Sequence, residues 1–196
     1  MLQTGPSATF TEGKTVDLFE VVEKRRSIRK FKPKPVATDD LRRILEAGRL
    51  APSGGNRQPW YFVVVRHLET KRALAIAANN QMFVADANTV IAALGDPTIS
   101  AARLPYTLSL TRLPHKQDPM IAVEHMILAA TALGYGTCWI GAFNEKRVKK
   151  ILKIPESLAV VALLPIGVPD EDPPQRPRKA FTEIFFKESF EMPLEL

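Results

Sequence analysis

Apolar residues recur every three or four positions over the first quarter of the chain, which is the spacing of an amphipathic helix. A first helix is predicted from Asp17, whose carboxylate can cap it, to the basic segment that starts at Arg25. A second is predicted from Thr38, as a cap, to the residues before Pro52. The apolar faces comprise Leu18, Val21 and Val22 in the first helix and Leu41, Ile44, Leu45 and Gly48 in the second.

Strands are predicted where apolar residues form uninterrupted runs, at residues 60–65, 89–94, 137–142 and 159–165. Helical signals return at residues 68–79, from Asp118-Pro119 to Gly134, and from Asn144 to the residues before Pro155. Asp and Asn are preferred as N-caps, and Pro is favoured at the first helical position. Helices that alternate with strands predict an α/β or α+β domain around a mostly buried sheet.

Two segments lack a clear period. Residues 1–15 are expected to be a tail, which leaves residues 16–196 as a single domain with a C-terminal arm. Residues 95–117 carry three prolines and are long for a connection, so we expect a lid or substrate loop.

Residues 126–143 carry no charge and reach the minimum length of a spanning helix. Three glycines interrupt them, and we expect a buried helix, a turn and a strand instead, with no membrane partner.

The composition of the chain indicates its net charge and the redox environment that it suits. The 196 residues include 27 Lys and Arg against 21 Asp and Glu, a net charge of +6 that favours anionic partners of unspecified kind. Apolar residues make up 45% of the chain, which excludes disorder of the chain as a whole. The single cysteine, Cys138, excludes a disulfide framework and a multi-cysteine metal site. It fits a reducing cytoplasm, and residues 1–15 have no apolar core of a secretory signal.

Several common functional motifs are missing from the sequence. Gly13-Lys14-Thr15 resembles the end of a phosphate-binding P-loop, but Ala8 stands where the first glycine belongs. No Gly-x-Gly-x-x-Gly fingerprint or Gly-x-Ser-x-Gly elbow occurs, and the three histidines have no metal-binding spacing. No nucleic-acid partner is expected, because a solvated helix face is the ordinary role of a charge run. That run comprises Lys146, Arg147, Lys149 and Lys150.

The segment Arg25-Arg26-Ser27-Ile28-Arg29 is the first with chemistry of its own. In extended backbone, residues 25, 27 and 29 point to one side, with alternate residues ~6.6 Å apart. Two guanidinium groups and a hydroxyl on one side suit a phosphate monoester. The alternative is a solvated basic linker.

Two glycine-containing segments and a second basic one complete the set. Segment 51–60 has small residues that let backbone approach a ligand, and Asn56 and Gln58 supply amide groups; an ordinary turn would look the same. Segment 133–142 would present backbone N–H groups beside a flat aromatic ligand, unless its glycines serve only a helix C-cap and a crossover. Segment 176–179, Arg-Pro-Arg-Lys, reads by itself as a solvated loop.

Together, the order and spacing of these segments resemble the nitroreductase family of FMN-dependent oxidoreductases over residues 17–180. The resemblance rests on the Arg-Arg-Ser-x-Arg entry, the Pro-Ser-x-x-Asn-x-Gln-Pro-Trp loop and the Gly-x-Gly-Thr-Cys-Trp-Ile-Gly strand. It implies an α+β fold, a three-layer sandwich with a central mixed sheet flanked by helices. It also implies an intertwined homodimer with two FMN molecules at its interface.

The resemblance further implies roles for individual residues. Arg25 and Ser27 would hold the phosphate of FMN, and Arg26 would line the same segment. Arg29 would reach the pyrimidine edge of the flavin ring. Pro52, Ser53 and Gly54 would come from the partner subunit, Asn56 would add a contact, and Asn80 or Gln81 would touch the ring edge. Trp139, Ile140, Gly141 and Ala142 would pack on the ring and offer a backbone N–H to N5. Arg176 and Arg178 would close over the phosphate. No side chain is predicted as a catalytic acid or base.

The activity implied by the resemblance is hydride transfer from NADH or NADPH through flavin N5 to an oxidised small molecule, such as a nitroaromatic or a quinone. The flavin supplies the chemistry, and the protein supplies orientation and charge. Two alternatives stay open: another flavin chemistry on the same fold, such as dehalogenation or flavin destruction, and a flavin-binding redox sensor without turnover. Some larger family members carry an acidic residue where this chain has Gly141, which leaves the subfamily and its substrate open.

Overall fold

The computed structural model describes residues 16–101 and 114–196. The predicted tail at residues 1–15 and most of the predicted lid, residues 102–113, lie outside them. The helices of the described ranges are α1 (Leu18–Lys24), α2 (Thr38–Arg49), α3 (Leu68–Ala77), α4 (Phe83–Asp86), α5 (Pro97–Ala101), α6 (Pro114–Ala132) and α7 (Glu145–Leu152). The strands are β1 (Trp60–Val65), β2 (Thr89–Gly95), β3 (Gly136–Thr137) and β4 (Ala159–Gly167). None of these helices is long and apolar enough to cross a bilayer.

The four strands form one sheet in the order β1-β2-β4-β3, and every neighbouring pair is antiparallel. A mixed sheet was predicted, and a mixed sheet needs parallel pairing. In the described residues this pairing is an isolated parallel bridge between Ser27 and Thr137. That bridge adds the basic segment to the β3 edge of the sheet. β2 lies at the centre and all seven of its residues are buried, as expected for a strand covered on both faces.

Alternate residues of β2 supply two separate cores, which confirms the three-layer arrangement. Val90, Ala92 and Leu94 pack into a core that includes Leu74 of α3 and Val148 of α7. Ile91 and Ala93 pack into the opposite core, against residues of α2 and α6 such as Ile44 and Met126. The sheet is therefore covered by α3, α4 and α7 on one face and by α2 and α6 on the other.

The start of α6 differs from the prediction that Asp118 caps it. The helix begins at Pro114, and Pro119 lies inside it. Pro119 has no N–H for the carbonyl group of His115, and that carbonyl oxygen lies against Gly95, where a β-carbon would overlap it. Packing on the sheet keeps the helix continuous in spite of the missing bond. Asp118 is left to make a long-range contact, described below.

Other ends of elements also differ from the pattern-based predictions. Asp17 caps α1 and Asn144 caps α7, as predicted. Thr38 does not cap α2: it is the first helical residue, and the hydroxyl oxygen of Tyr135 accepts from the N–H of the preceding residue, Ala37. The strand predicted at residues 137–142 is confined to β3 and an isolated bridge between Ile140 and Leu163. Leu18 and Val22 of the predicted α1 face are exposed.

Candidate functional site

The basic segment 25–29 lies alongside β3 as an extended chain. The N–H of Ile28 donates to the carbonyl oxygen of Thr137 over 2.8 Å, and Ser27 and Thr137 form the parallel bridge. Ile28 is buried, whereas Arg25 and Ser27 are half-buried and Arg29 is exposed. This arrangement agrees with the predicted alternation, in which residues 25, 27 and 29 leave the side that Ile28 buries.

The thiol of Cys138 lies in the electrostatic field of this segment. Burial raises the pKa of Cys138, and the Arg29 guanidinium, a hydrogen bond with Ser27 and the Arg25 guanidinium oppose that rise. Cys138 is 3% exposed, and the cost of burying a thiolate outweighs these favourable neighbours. The thiol is therefore protonated at neutral pH.

A carboxylate that the sequence analysis missed holds the same segment from the other side. Glu171 accepts from the N–H groups of Arg29, over 2.5 Å, and of Lys30, over 3.2 Å. Two backbone bonds continue the contact, from Asp170 to the carbonyl oxygen of Lys30 and from Lys32 to that of Val168, each 2.9 Å long. The proline-rich run around Glu171 has no period, so the sequence offered no signal for this pairing.

The guanidinium groups of Arg26 and Arg29 take different directions. Arg26 donates to the carbonyl oxygens of Glu23 and Arg25, and thus covers the C-terminal end of α1. The guanidinium carbon of Arg29 lies 6.0 Å from the centroid of the Phe83 ring, and one of its nitrogens lies 3.4 Å from the carbonyl oxygen of Ser27. Among the ion pairs of the described residues, none involves Arg29.

A second part of the site is a corner around Ala142, where the chain leaves the sheet. The side-chain amides of Asn79 and Gln81 donate to the carbonyl oxygen of Ala142 over 3.3 and 3.5 Å. The contact of Asn80 or Gln81 with the ring edge stays a prediction; at this corner the structure joins Gln81 with Asn79, which the sequence did not single out. Asn79 and Asn80 both have φ of 58°, so the turn is tight. The sequence could have predicted this turn, because two consecutive Asn residues stand at the end of a predicted helix and Asn tolerates left-handed backbone.

The backbone on either side of this corner differs in hydrogen bonding. Ile140 is buried and exchanges two 3.0 Å bonds with Leu163, so its N–H is already used. Gly141 and Ala142 are exposed, and within the described ranges neither N–H has an acceptor. Trp139 is half-buried and packs on the core shared with α2 and α6. Gly141 and Ala142 thus present backbone N–H donors beside the apolar surface of Trp139.

The third predicted segment, the loop at residues 52–58, lies near the other edge of the sheet. It leads into β1, which the strand order places opposite β3. Pro52, Ser53, Gly54 and Asn56 therefore do not belong to the sheet edge that carries the basic segment. Such a separation within one chain is what the implied contribution from a partner subunit requires.

Arg176 and Arg178 lie in the exposed arm that follows β4. One guanidinium nitrogen of Arg178 donates to the carbonyl oxygen of Arg176 over 2.9 Å and approaches that of Pro177 at 3.4 Å. No hydrogen bond of the described residues joins either arginine to the basic segment. Their role over a phosphate stays a prediction.

Comparison with known proteins identifies the family. The model of the nitroreductase family matches residues 22–168. The chain belongs to the nitroreductase family. It is 34% identical over 174 residues to an NADH dehydrogenase of Thermus thermophilus. The alignment covers 76% of this chain and 85% of that relative.

Two solved structures show the same fold. A nitroreductase family protein from Clostridium novyi NT superimposes with a TM-score of 0.73 at 34% identity, covering 91% of this chain and 97% of its own. The NADPH:FMN oxidoreductase from Vibrio harveyi, solved with NAD+, superimposes with a TM-score of 0.79 at 29% identity, covering 91% of this chain and 79% of its own. The predicted nitroreductase-like α+β fold is thereby confirmed.

Proposed function

We propose that this chain, an NAD(P)H-dependent flavin oxidoreductase of the nitroreductase family, binds FMN along the β3 edge of the sheet and reduces an oxidised small molecule such as a nitroaromatic or a quinone. The pairing of Ser27 with Thr137 carries the proposal, because it brings a cationic segment to the edge that continues into Gly141 and Ala142. When bound, FMN would supply the hydride-transfer chemistry between NADH or NADPH and the acceptor.

The phosphate end of FMN fits the residues of the basic segment. Arg25 and Ser27 are half-buried on the same side of an extended chain, and they offer a planar cation and a hydroxyl donor. Arg26 adds charge but is engaged with the end of α1. The net charge of +6 also favours a ligand with a dianionic phosphate.

The ring end fits the corner at Ala142. The N–H groups of Gly141 and Ala142 are available to an acceptor on a flat ligand, and Trp139 offers apolar surface beside them. Asn79 and Gln81 hold the carbonyl oxygen of Ala142, which restrains the backbone directly after these N–H groups. We assign the backbone donor toward flavin N5 to this corner, with Arg29 at the pyrimidine edge.

A homodimer is the second part of the proposal. The arm and α1 expose large apolar side chains that a stable single chain would bury: Leu18, Phe19, Val22, Phe181, Ile184, Phe185 and Phe190. A second copy would cover these residues and bring its own loop 52–54 to the site at the β3 edge. Light scattering should give the mass of two chains, and a monomer at micromolar concentration would contradict this part.

The decisive experiment is the spectrum and turnover of the purified protein. We expect a yellow protein, or one that binds added FMN, and acceptor-dependent oxidation of NADH or NADPH. FAD should bind more weakly, because the proposed site uses Arg25 and Ser27 to hold a terminal phosphate. Tighter binding of FAD than of FMN would contradict the site. FMN binding without acceptor-dependent turnover would leave a flavin-binding module instead of a reductase.

A further inference from the structure

The loop at residues 53–58 holds one residue, Gln58, in a backbone conformation that its side chain disfavours. Gly55, Asn56 and Gln58 have φ of 60°, 54° and 50°, in the left-handed region where a β-carbon crowds the backbone. Asn tolerates this region better than Gln does, so Gln58 carries the clearest strain. Such strain persists only where surrounding contacts determine the backbone, and it is often found at ligand sites.

Most hydrogen bonds of the loop are internal to it. The N–H of Gln58 donates to the hydroxyl oxygen of Ser53 over 2.9 Å, and the N–H of Asn56 donates to the carbonyl oxygen of Ser53, also over 2.9 Å. The side-chain amide of Gln58 donates to the side chain and the carbonyl oxygen of Asn56, each over 3.2 Å. These bonds shape the loop but do not fix its position on the protein.

One bond does fix that position. The N–H of Gly54 donates to a carboxylate oxygen of Asp118 on α6 over 3.2 Å. Within the described ranges it is the only hydrogen bond that joins residues 53–58 to another element. Asp118 is 9% exposed, so the bond forms in a protected environment where a charged acceptor strengthens it. The same bond uses the N–H of Gly54, which is then unable to donate to a ligand.

We propose that Asp118 is a positioning residue for flavin binding, which anchors the strained loop so that Pro52 and the Ser53 hydroxyl meet FMN. The role rests on the proposed function. The Ser53 hydroxyl oxygen accepts from Gln58, and this bond does not use the hydroxyl proton, which can be donated to the ligand. Gly54 contributes its backbone to the anchor, so its part in FMN binding is indirect.

The test compares Asp118→Ala, which removes the acceptor, with Asp118→Asn, which keeps a neutral one. In the FMN-free protein, Asp118→Ala should speed hydrogen exchange at the Gly54 amide at least tenfold, while Asp118→Asn stays within threefold of wild type. In flavin-fluorescence titrations, Asp118→Ala should bind FMN about tenfold more weakly, equivalent to ~1.4 kcal/mol, mainly through faster release. Asp118→Asn should restore binding to within threefold.

Glu145→Ala is the matched control. The carboxylate of Glu145 also accepts a backbone N–H from a distant residue, Val160, over 3.0 Å, and no role in FMN binding is assigned to it. This variant should lose unfolding free energy but bind FMN within threefold of wild type. Equal loss of affinity in Glu145→Ala and Asp118→Ala would reduce Asp118 to a structural role.

The remaining outcomes separate this role from the proposed function. Wild-type protein that fails to bind FMN overturns the proposed function and the positioning role with it. Wild-type protein that binds FMN, with an Asp118→Ala variant that binds equally tightly, overturns only the positioning role. Asp118→Asn that binds as weakly as Asp118→Ala overturns the hydrogen-bond account, since charge alone would then explain the loss.

Discussion

Ile28 and Thr137, which lie far apart in the sequence, are joined by a 2.8 Å backbone hydrogen bond. The Ile28 side chain packs over Gly136, directly before Thr137: a β-carbon built on Gly136 would lie 2.7 to 2.9 Å from three carbons of Ile28. Such distances are far below van der Waals contact. The absence of a side chain at position 136 is therefore what allows the basic segment to lie against β3.

Gly136→Ala should lower the free energy of unfolding by about 1–3 kcal/mol, the usual cost of overpacking a core. It should also weaken FMN binding, because the basic segment must move away from β3. Urea denaturation and flavin titration measure the two effects. Gly54→Ala is the stability control, since its new β-carbon would meet nothing nearer than an oxygen of Asp118 at 3.7 Å. Unchanged stability of Gly136→Ala would contradict the close packing.

Ile28→Ala provides a second check of the same contact. It removes two of the three carbons that a β-carbon at Gly136 would meet. In a double-mutant cycle, the cost of Gly136→Ala should therefore shrink when Ile28 is already Ala. If the unfolding free-energy costs of the two substitutions simply add, the strain of Gly136→Ala does not come from its contact with Ile28.

Cys138→Ser should retain nearly full turnover. The thiol is protonated at neutral pH because burial raises its pKa, and the sequence holds no second cysteine to form a disulfide with it. Steady-state kinetics on FMN-loaded protein measure the effect. Cys138→Ala, which adds no polar group to the core, separates loss of folding from loss of chemistry. A decrease beyond about 100-fold in both variants, ~2.7 kcal/mol of barrier, would show that the thiol takes part.

The sequence was sufficient for elements whose signals are local. β1 has the predicted bounds, and Asp17 and Asn144 cap the helices predicted for them, because runs of apolar residues and N-caps act over a few residues. Asp118-Pro119 carried the same local signal and was misleading. There, packing of α6 on the sheet extends the helix to Pro114, and the carboxylate that looked like a cap binds Gly54 instead.

The site was predictable in its segments but not in its connections. Residue types alone favoured an extended segment at Arg25 and Ser27 and exposed backbone at Gly141, each beside an ordinary alternative: a solvated linker for the first and a helix C-cap for the second. Glu171 and Asn79 were missed because each acts on backbone groups that only the fold brings near, at Arg29 and Ala142. Side chains that hold another segment's backbone leave no periodic trace in a sequence.

Lys71 should make stability depend on pH in the alkaline range. It is buried, and desolvation lowers its pKa from 10.5, with the Asp86 carboxylate opposing. Between the folded-state pKa and 10.5 the unfolded chain binds more protons, so stability rises with pH across that window and is constant below it. Relative to Lys71→Met, the wild-type unfolding free energy should therefore increase as pH rises toward 10.5.

Urea denaturation at several pH values measures this difference. Lys150→Met, at an exposed position on α7, is the control for the loss of one lysine charge, and its values are compared with those of Lys71→Met at each pH. A pH-independent difference for Lys71→Met would contradict the burial cost. The Lys71 ammonium donates to the carbonyl oxygens of Ala87 and Asn88, and a neutral amine still has two N–H groups for these acceptors.

Arg29→Ala should lower the midpoint potential of bound FMN by roughly 20–65 mV. A guanidinium near the pyrimidine edge favours the more negative reduced state, and a charged contact of this kind contributes about 1–3 kcal/mol. For a two-electron couple, 30 mV corresponds to ~1.4 kcal/mol. In the structure, Glu171 holds the backbone N–H of Arg29, and no ion pair of the described residues involves the Arg29 guanidinium.

Arg25→Ala is the matched variant, since it removes the same charge from the phosphate end of the segment. It should weaken FMN binding while the potential of the bound flavin barely moves. The two arginines are four residues apart, and extended backbone separates their α-carbons by ~13 Å, enough to assign one to the phosphate and one to the ring. A redox titration of both variants with a dye of known potential makes the comparison. An unchanged potential in Arg29→Ala, or equal shifts in both variants, would mean that the segment does not span the flavin from phosphate to ring.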